Sequence, residues 1–377
     1  MSEALRPISF AITALTVVDL GPLRTISTTS FTAANGEPAN LFLLMGPNGS
    51  GKTTILDGIY TAMRLLGARV HDGYGLEGLD RGDGGLQLDA LVELDDGART
   101  ELFLLSIVAG KPGLLKNWRP EELPAGVRQI VLSYQRRALD DVIERSSRSD
   151  PEAIQFADAV LEQRGAPPLA LFDAGIGCPT VLYFRSDRSV VRPTDENRAI
   201  TPPSDLNYAP AHCFGVDSGA WAGSIENLFI WFAWLDDGRE EAARTLVNQL
   251  IFRDGRKHLD EVDRQNLTVP VVIEGAPHRL DQLSSGERQL VQLLVRTAAH
   301  MTGPTIVLID ESEQHLHLVM RRRLMTILKD WVKIHHKLTF ILTSHHLDTL
   351  RVLQPKLEED GLRKGGALVK PPFRMPE

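Results

Sequence analysis

The 377-residue chain is poor in cysteine, having only Cys178 and Cys213. Two cysteines cannot build a disulfide framework, and their spacing matches no metal-binding or redox pair, so both are expected to be ordinary core or loop residues of a reducing compartment. Positive charge is also in deficit. The formal net charge is −8, which excludes a surface that is basic all over and leaves nucleic acid only a local patch to meet. No run approaches the ~20 apolar residues that a membrane-spanning helix needs. The opening MSEALRPISF lacks a basic stretch followed by a long apolar one, so no secretory signal is expected and the location expected is cytoplasmic, away from membranes. Sustained heptads and internal repeats are missing, which excludes a long coiled-coil arm. What is present is a 43% hydrophobic composition, enough for a sizeable core in one large or two ordinary domains.

Residues 8 to 31 alternate Ile, Val, Thr and Leu with turn residues and predict two short strands. The apolar run LFLLM, residues 41 to 45, predicts a strand buried on both faces, with a helix from about Thr53 to Leu66 after it. From Gly67 to Gly85 seven glycines among scattered charges predict a flexible loop. Two further strands meet at the hairpin turn Asp95-Asp96-Gly97. Residues 111 to 128 hold three prolines and little periodicity, and RQIVLSYQRR then predicts a strand. A helix is expected between Asp150, as N-cap before Pro151, and Gly165. VLYFRSDR (181–188) follows as a strand and its exit, and the proline-containing stretch 193 to 210 is the expected lobe boundary. Two helices are expected around Asp236-Asp237-Gly238, with Trp231, Phe232 and Trp234 packed in the core.

GPNGSGKT, residues 46 to 53, lies between a buried strand and a helix and satisfies the P-loop pattern. Gly46, Gly49 and Gly51 let the backbone curl so that its N–H groups face phosphates, and the helix N-terminus adds positive potential. Lys52 is the residue expected to reach the terminal phosphates and Thr53 to bind Mg²⁺, while Asn48, Ser50 and Thr54 complete the expected ATP contacts. PTIVLIDESEQHLH, residues 304 to 317, runs an apolar strand into Asp310-Glu311. Asp310 is expected to hold Mg²⁺ and Glu311 to orient or deprotonate the attacking water; the plainer alternative is two acidic residues opening a helix. LSSGERQLVQLLVRTAAH, residues 283 to 300, starts an amphipathic helix in which Ser284 and Glu287 fit a capping box. It is either only a well-capped helix or a second anion site built from Ser284, Ser285 and the Gly286 N–H. Pairs such as His315/His317 and His335/His336 lack zinc-type spacing, and no transition metal is expected.

The order P-loop, LSSGE, strand ending in Asp-Glu, then TFILTSHH resembles the ABC ATPases, whose signature is LSGGQ-like. The resemblance implies an α/β fold of the ABC-type P-loop head, a mixed sheet flanked by helices with an added helical lobe. It also implies a head-to-tail homodimer holding two ATP molecules, in which Ser284 and Gly286 act on the nucleotide of the other copy. His345 aligns with the family's switch histidine, which contacts the γ-phosphate. GPNGSGKTT, LSSGER and DESEQHLH look like the RecF, OLD-nuclease and chromosome-maintenance (SMC) branch, and within it the compact anti-phage ATPases of the Septu and PARIS systems, where VLYFRSDR has its Tyr-Phe-x-x-x-Arg counterpart. The likeness covers about residues 1 to 110 and 265 to 350. Leu318 stands where that branch has proline, so a different local turn is expected. Gln135 is the candidate for the family's Mg²⁺-sensing glutamine, the alternative being an ordinary strand residue. The expected division is a discontinuous ATP-binding head, 1–195 and 266–377, with an insertion at 111–177 and a helical lobe at 196–265.

The expected function is an ATPase that closes as a dimer on ATP and controls a partner, DNA or a nuclease-like effector supplied in trans, in phage defence or DNA repair, with assembly above a dimer left open. The chain ends 32 positions after His345, so an appended nuclease domain is not expected. Arg321, Arg322, Arg323, Lys329 and Lys333 are candidate partner contacts, the plainer reading being a solvated helix face. A transporter's energy module would share every motif, but such modules place P-loop and signature closer than the 231 positions between Lys52 and Leu283. A scaffold that binds ATP without turning it over is the remaining alternative.

Overall fold

The computed structural model describes residues 5–137, 139–173, 175–187, 198–215, 221–314, 316–346, 349–350 and 361–370. The first half holds β1 (Arg6–Val18), β2 (Ser27–Ser30), β3 (Leu41–Met45), α1 (Lys52–Leu65), β4 (Val70–His71) and α2 (Glu77–Asp80). It continues through β5 (Gly85–Asp95), β6 (Thr100–Gly110), β7 (Arg128–Arg136), β8 (Ile143–Arg145) and α3 (Pro151–Glu162). After these come β9 (Thr180–Phe184), β10 (Ala211–Phe214), α4 (Ile225–Leu235), α5 (Arg239–Leu250), β11 (Lys257–Leu259), β12 (Pro270–Ile273) and β13 (Ala276–Arg279). The last elements are α6 (Ser285–His300), β14 (Thr305–Ile309), α7 (Leu318–Ile334), β15 (Leu338–Ser344) and β16 (Lys364–Leu368).

Six strands form a parallel sheet in the order β10-β9-β14-β15-β3-β16. Its central strands TVLYF, TIVLI and LFLLM are nearly continuous apolar runs because both faces are covered. Alternate residues divide between two cores. Phe42, Leu44, Val181, Tyr183, Ile306 and Leu308 face one core together with Ile55, Leu56 and Ile59 of α1. Leu43, Leu182, Phe184, Val307 and Ile309 face the other, against α4, α5, α6 and α7. Each fully buried Leu or Ile contributes roughly 1.5–3 kcal/mol, so this two-sided burial fixes the register of every central strand.

Beyond α1 lies a seven-stranded sheet, β2-β1-β5-β6-β7-β8-β4, antiparallel except for the β6–β7 pair. The fold is α/β with parallel and mixed sheets flanked by helices, as expected. Helix α1 is therefore sandwiched between two sheets, while α6 packs on the opposite face of the parallel one. Residues 128–145 extend the mixed sheet, and α3 packs on it through Phe156, stacked on Phe10 at 6.1 Å. This part of the expected insertion at 111–177 is thus continuous with the layer that β1 and β5 begin.

Three expectations need correction. The glycine-rich stretch 67–85 is built into the core: Tyr74 and Leu79 are buried, and the Asp80 carboxylate accepts the Tyr74 N–H at 2.7 Å and the Leu76 N–H at 3.1 Å. Its glycines serve close packing, since a Cβ on Gly78 or Gly84 would lie 2.7 or 2.5 Å from the Leu20 side chain. The supposed helical lobe also holds a strand of the main sheet, β10, because Phe214 packs on Phe184 at 4.9 Å. Its expected start at 196 falls outside the described residues. Of the aromatic trio on α4, Phe232 is buried, whereas Trp234 is 53% exposed and stacks on Trp231 at 4.9 Å.

Helix α6 is tied to the sheet edge by a buried polar cluster. Arg296 donates to Asp205 at 2.5 Å, and the His300 ring nitrogens meet the carbonyls of Arg296 at 2.8 Å and Asp205 at 3.0 Å. His212 packs against His300 at 4.8 Å. Burial lowers the pKa of His300 and pushes that of His212 down to about 3. A depressed imidazole pKa means that the unfolded chain binds more protons, so stability is fully present above the unfolded value and is lost as pH falls through it. Between pH 7.5 and 5.5 His212 costs about 1.4 kcal/mol. Urea denaturation at the two pH values should show this loss, and His212→Gln should remove it.

Candidate functional site

The parallel register sets β3, β15 and β14 with their C-terminal ends side by side, Ser344 opposite Met45 and Ile309 opposite Leu342. The residues that follow these ends are the P-loop, His345 and Asp310-Glu311. Ligands of open parallel sheets bind at this edge, where the chain leaves the sheet and helices begin.

Gly49 and Gly51 have φ of 75° and 104°, a region that side chains resist. A Cβ on Gly46 would lie 2.3 Å from the Val369 carbonyl oxygen, and the Val369 N–H bonds the Met45 carbonyl at 2.7 Å, so the end of β16 buttresses the start of the loop. Lys52 is buried, its ammonium donating to the carbonyls of Gly46 at 2.8 Å and Pro47 at 2.9 Å. Burial lowers its pKa, against the upward pull of Asp310, Glu311 and Glu313. Pro22, Asn48, Gly49, Gly51, Lys52, Thr53, Thr54 and Glu311 line a cleft of about 250 Å³. Ser50, in the same loop, is buried, and among the described residues its hydroxyl has no hydrogen-bond partner.

The Thr53 hydroxyl donates to Asp310 Oδ2 at 2.9 Å. Asp310 Oδ1 accepts from the Thr343 hydroxyl at 2.6 Å, and that hydroxyl accepts the Glu311 N–H at 2.7 Å. Thr343, fully buried on β15, thus fixes both acidic residues. Glu311 itself is left-handed, with φ of 46°, a conformation that costs of order 1–3 kcal/mol and is maintained by this network. Thr343 was not singled out from sequence; its only signal is the TSHH motif it belongs to.

His345 is about one-third exposed, and its Nδ1 lies 3.2 Å from Glu313 Oε1. With His346 these form, among the described residues, a group whose possible ligand atoms lie within 4.8 Å of one another; His315 lies outside the described residues. Glu313 Oε1 also accepts from the Ser344 hydroxyl at 2.9 Å and the His345 N–H at 3.0 Å, so hydrogen bonds already engage it.

Ser284 caps α6, its hydroxyl accepting the Glu287 N–H at 3.3 Å while the Glu287 carboxylate accepts the Ser284 N–H at 3.1 Å. Burial alone would raise the Glu287 pKa, but hydrogen bonds from Lys257 and Ser284 outweigh it and hold it low. Ser284 and Ser285 are exposed and Gly286 is buried. The capped helix is therefore real, and its N-terminus presents two serines to solvent. Because α1 and α6 cover opposite faces of the parallel sheet, P-loop and signature belong to different layers of one chain.

Gln135 is not brought to this site. It lies exposed on β7 beside Tyr134, whose ring meets His71, and Tyr74 donates to the Tyr134 carbonyl at 3.3 Å. Arg64, at the C-terminal end of α1, bonds the Gly73 carbonyl at 2.9 Å in the same region. The P-loop sits at the other end of this 14-residue helix, about 20 Å away at 1.5 Å per residue. Leu318 is the first residue of α7, a position that proline also favours, so its substitution requires no change of turn. Arg321 donates to the Leu316 carbonyl at 2.8 Å and Arg323 to that of Ile251, which makes part of the basic run a tether for loops. The last residue of the Tyr-Phe-x-x-x-Arg element, Arg188, lies outside the described residues.

A family model described as "AAA domain, putative AbiEii toxin, Type IV TA system" matches residues 194–351. That span holds the signature, Asp310-Glu311 and His345, but not the P-loop. No curated protein matches. Among solved structures the chain is similar to the SMC head domain of Thermotoga maritima, at 12% identity and TM-score 0.38, covering 91% of this chain and 92% of that one. It is similar to an SMC head domain of Pyrococcus furiosus bound to the C-terminal domain of ScpA, at 10% identity and TM-score 0.39, covering 91% and 92%. It is also similar to a bacterial ABC transporter cassette solved as a dimer, at 12% identity and TM-score 0.35, covering 91% and 90%. At these values the likeness is loose. Among the described residues no helix is long and apolar enough to cross a membrane.

Proposed function

We propose that the protein binds and hydrolyses ATP with Mg²⁺ in a site completed by a second copy of the chain, and that the closing and opening of this dimer controls a DNA-directed or nuclease-like partner. The convergence of Lys52, Thr53, Asp310 and Glu311 around one cleft carries this reading. The residues fit a metal–nucleotide pair: a buried ammonium held by carbonyls, a hydroxyl bonded to a carboxylate, and a buried serine hydroxyl short of a partner. Thr53 and Asp310 would hold Mg²⁺, which when bound neutralises phosphate charge. Lys52 and the P-loop N–H groups bind and orient the terminal phosphates. Glu311 positions the attacking water and accepts its proton, while His345 faces the γ-phosphate.

The two-layer separation of P-loop and signature favours completion in trans, with Ser284, Ser285 and Gly286 of one copy meeting the nucleotide of the other. The matched family description names a toxin of a toxin–antitoxin system, which favours control of an effector over DNA repair as the context.

Thermal denaturation tests the binding step. At ATP and Mg²⁺ a hundredfold above Kd the wild type should gain about 2.7 kcal/mol, a rise of roughly 3–4 °C for a chain of this length. Lys52→Ala should abolish the rise. An equal rise in both proteins would contradict the assignment.

A further inference from the structure

Glu313 is a buried acid that the proposed reaction does not use. It follows Asp310 by three residues in the turn after β14, where the Gln314 N–H bonds the Glu311 carbonyl at 2.9 Å and the Ser312 N–H bonds the Thr343 carbonyl at 3.1 Å. This turn brings the carboxylate under the end of β15. One oxygen, Oε1, gathers the Ser344 hydroxyl at 2.9 Å, the His345 N–H at 3.0 Å and His345 Nδ1 at 3.2 Å. The other, Oε2, lies 3.3 Å from the Ser312 hydroxyl. Ser344 also bonds Thr349 at 3.0 Å and accepts the His346 N–H at 3.0 Å, so the whole exit of β15 is organised around this acid.

The geometry points to Glu313 as a positioning residue for His345. The carboxylate lies 3.2 Å from Nδ1, which favours the tautomer with its proton there and leaves Nε2 as the nitrogen to meet a phosphate. Because the same oxygen holds the His345 backbone N–H, ring and main chain are fixed together. Glu313 lies on the Asp310-Glu311 turn and His345 on the end of β15. The acid therefore couples the segment carrying the proposed water-activating residue to the segment carrying the proposed phosphate sensor. A metal bound by Glu313, His345 and His346 would have to displace the two hydrogen bonds now on Oε1.

This assignment rests on the proposed ATPase reading, and the experiment separates the two. The ¹⁵N chemical shifts of the His345 ring, read without nucleotide, should show the proton on Nδ1 in the wild type. Glu313→Ala should lose that preference, whereas Glu313→Gln, whose amide oxygen can accept the same donor, should retain it. In steady-state ATPase assays Glu313→Ala should lower kcat about 10–100-fold, the range typical of groups that orient a functional histidine, with KM changed less than about threefold. Glu313→Gln should recover most of the rate, and Glu313→Ala combined with His345→Ala should be no slower than His345→Ala alone. A wild-type ring protonated on Nε2 alone would overturn the assignment whatever the ATPase activity. A kcat loss that multiplies with that of His345→Ala would do the same. If the ring shifts are as expected but the wild type shows no turnover, the positioning contact stands and the ATPase reading fails.

Discussion

Glu311→Gln is expected to bind ATP within a few-fold of the wild type and to hydrolyse it about 10²–10⁴ times more slowly, the loss typical of a removed general base. The isosteric amide leaves the Glu311 N–H on Thr343, so the left-handed turn persists and the change falls on proton transfer. The cleft, Lys52 and the Thr53–Asp310 bond are untouched, which is why binding survives. Single-turnover kinetics with radiolabelled ATP, beside equilibrium binding, would separate the two steps. A variant that still turns over at the wild-type rate would remove Glu311 from the mechanism.

Glu226→Ala is expected to cost about 3–5 kcal/mol of stability without touching the nucleotide cleft. Arg198 and Glu226 form an ion pair at 3.0 Å with side chains only 9% and 3% exposed. Arg198 also donates to the Leu267 carbonyl at 2.9 Å and lies over the Trp221 ring at 5.2 Å. Removing the carboxylate takes a counter-charge away from a buried guanidinium, and the melting temperature should fall by roughly 4–6 °C. Replacing both residues, Arg198→Met with Glu226→Leu, should recover most of the loss, because an apolar pair carries no desolvation penalty. If the single variant loses less than about 1 kcal/mol, water reaches the pair and the packing of α4 on the 198–201 segment is looser than described.

The central strands were legible in the sequence because they are buried on both faces, and continuous apolar runs follow directly from that. Asp310 and Glu311 were legible for the same reason, since two acids that end such a run stand out. The mixed sheet was less so. Its segment 67–85 reads as loop because its glycines answer to close contacts with Leu20, and a sequence does not distinguish a glycine needed for contact from one that loosens the chain. Strand β10 is only four residues, AHCF, and its place beside β9 depends on Phe214 meeting Phe184 across the sheet. The position of Gln135 away from the cleft was not legible because spacing along the chain does not tell which end of α1 a strand will pass. Thr343 and Glu313 act through contacts with residues 30 or more positions away, and no local pattern marks such partners.

The claim on which the account depends most is that one nucleotide is bound by two copies of the chain, and mixing two inactive variants tests it directly. Lys52→Ala lacks the phosphate-binding ammonium and Ser284→Arg blocks the exposed end of α6, so each homodimer should be inactive. A mixed dimer would contain one intact site, formed by the P-loop of the Ser284→Arg copy and the signature of the Lys52→Ala copy. The account predicts that ATPase activity, absent from either variant alone, reappears on mixing. Full activity of Ser284→Arg on its own, or a mixture as inactive as its components, would contradict it.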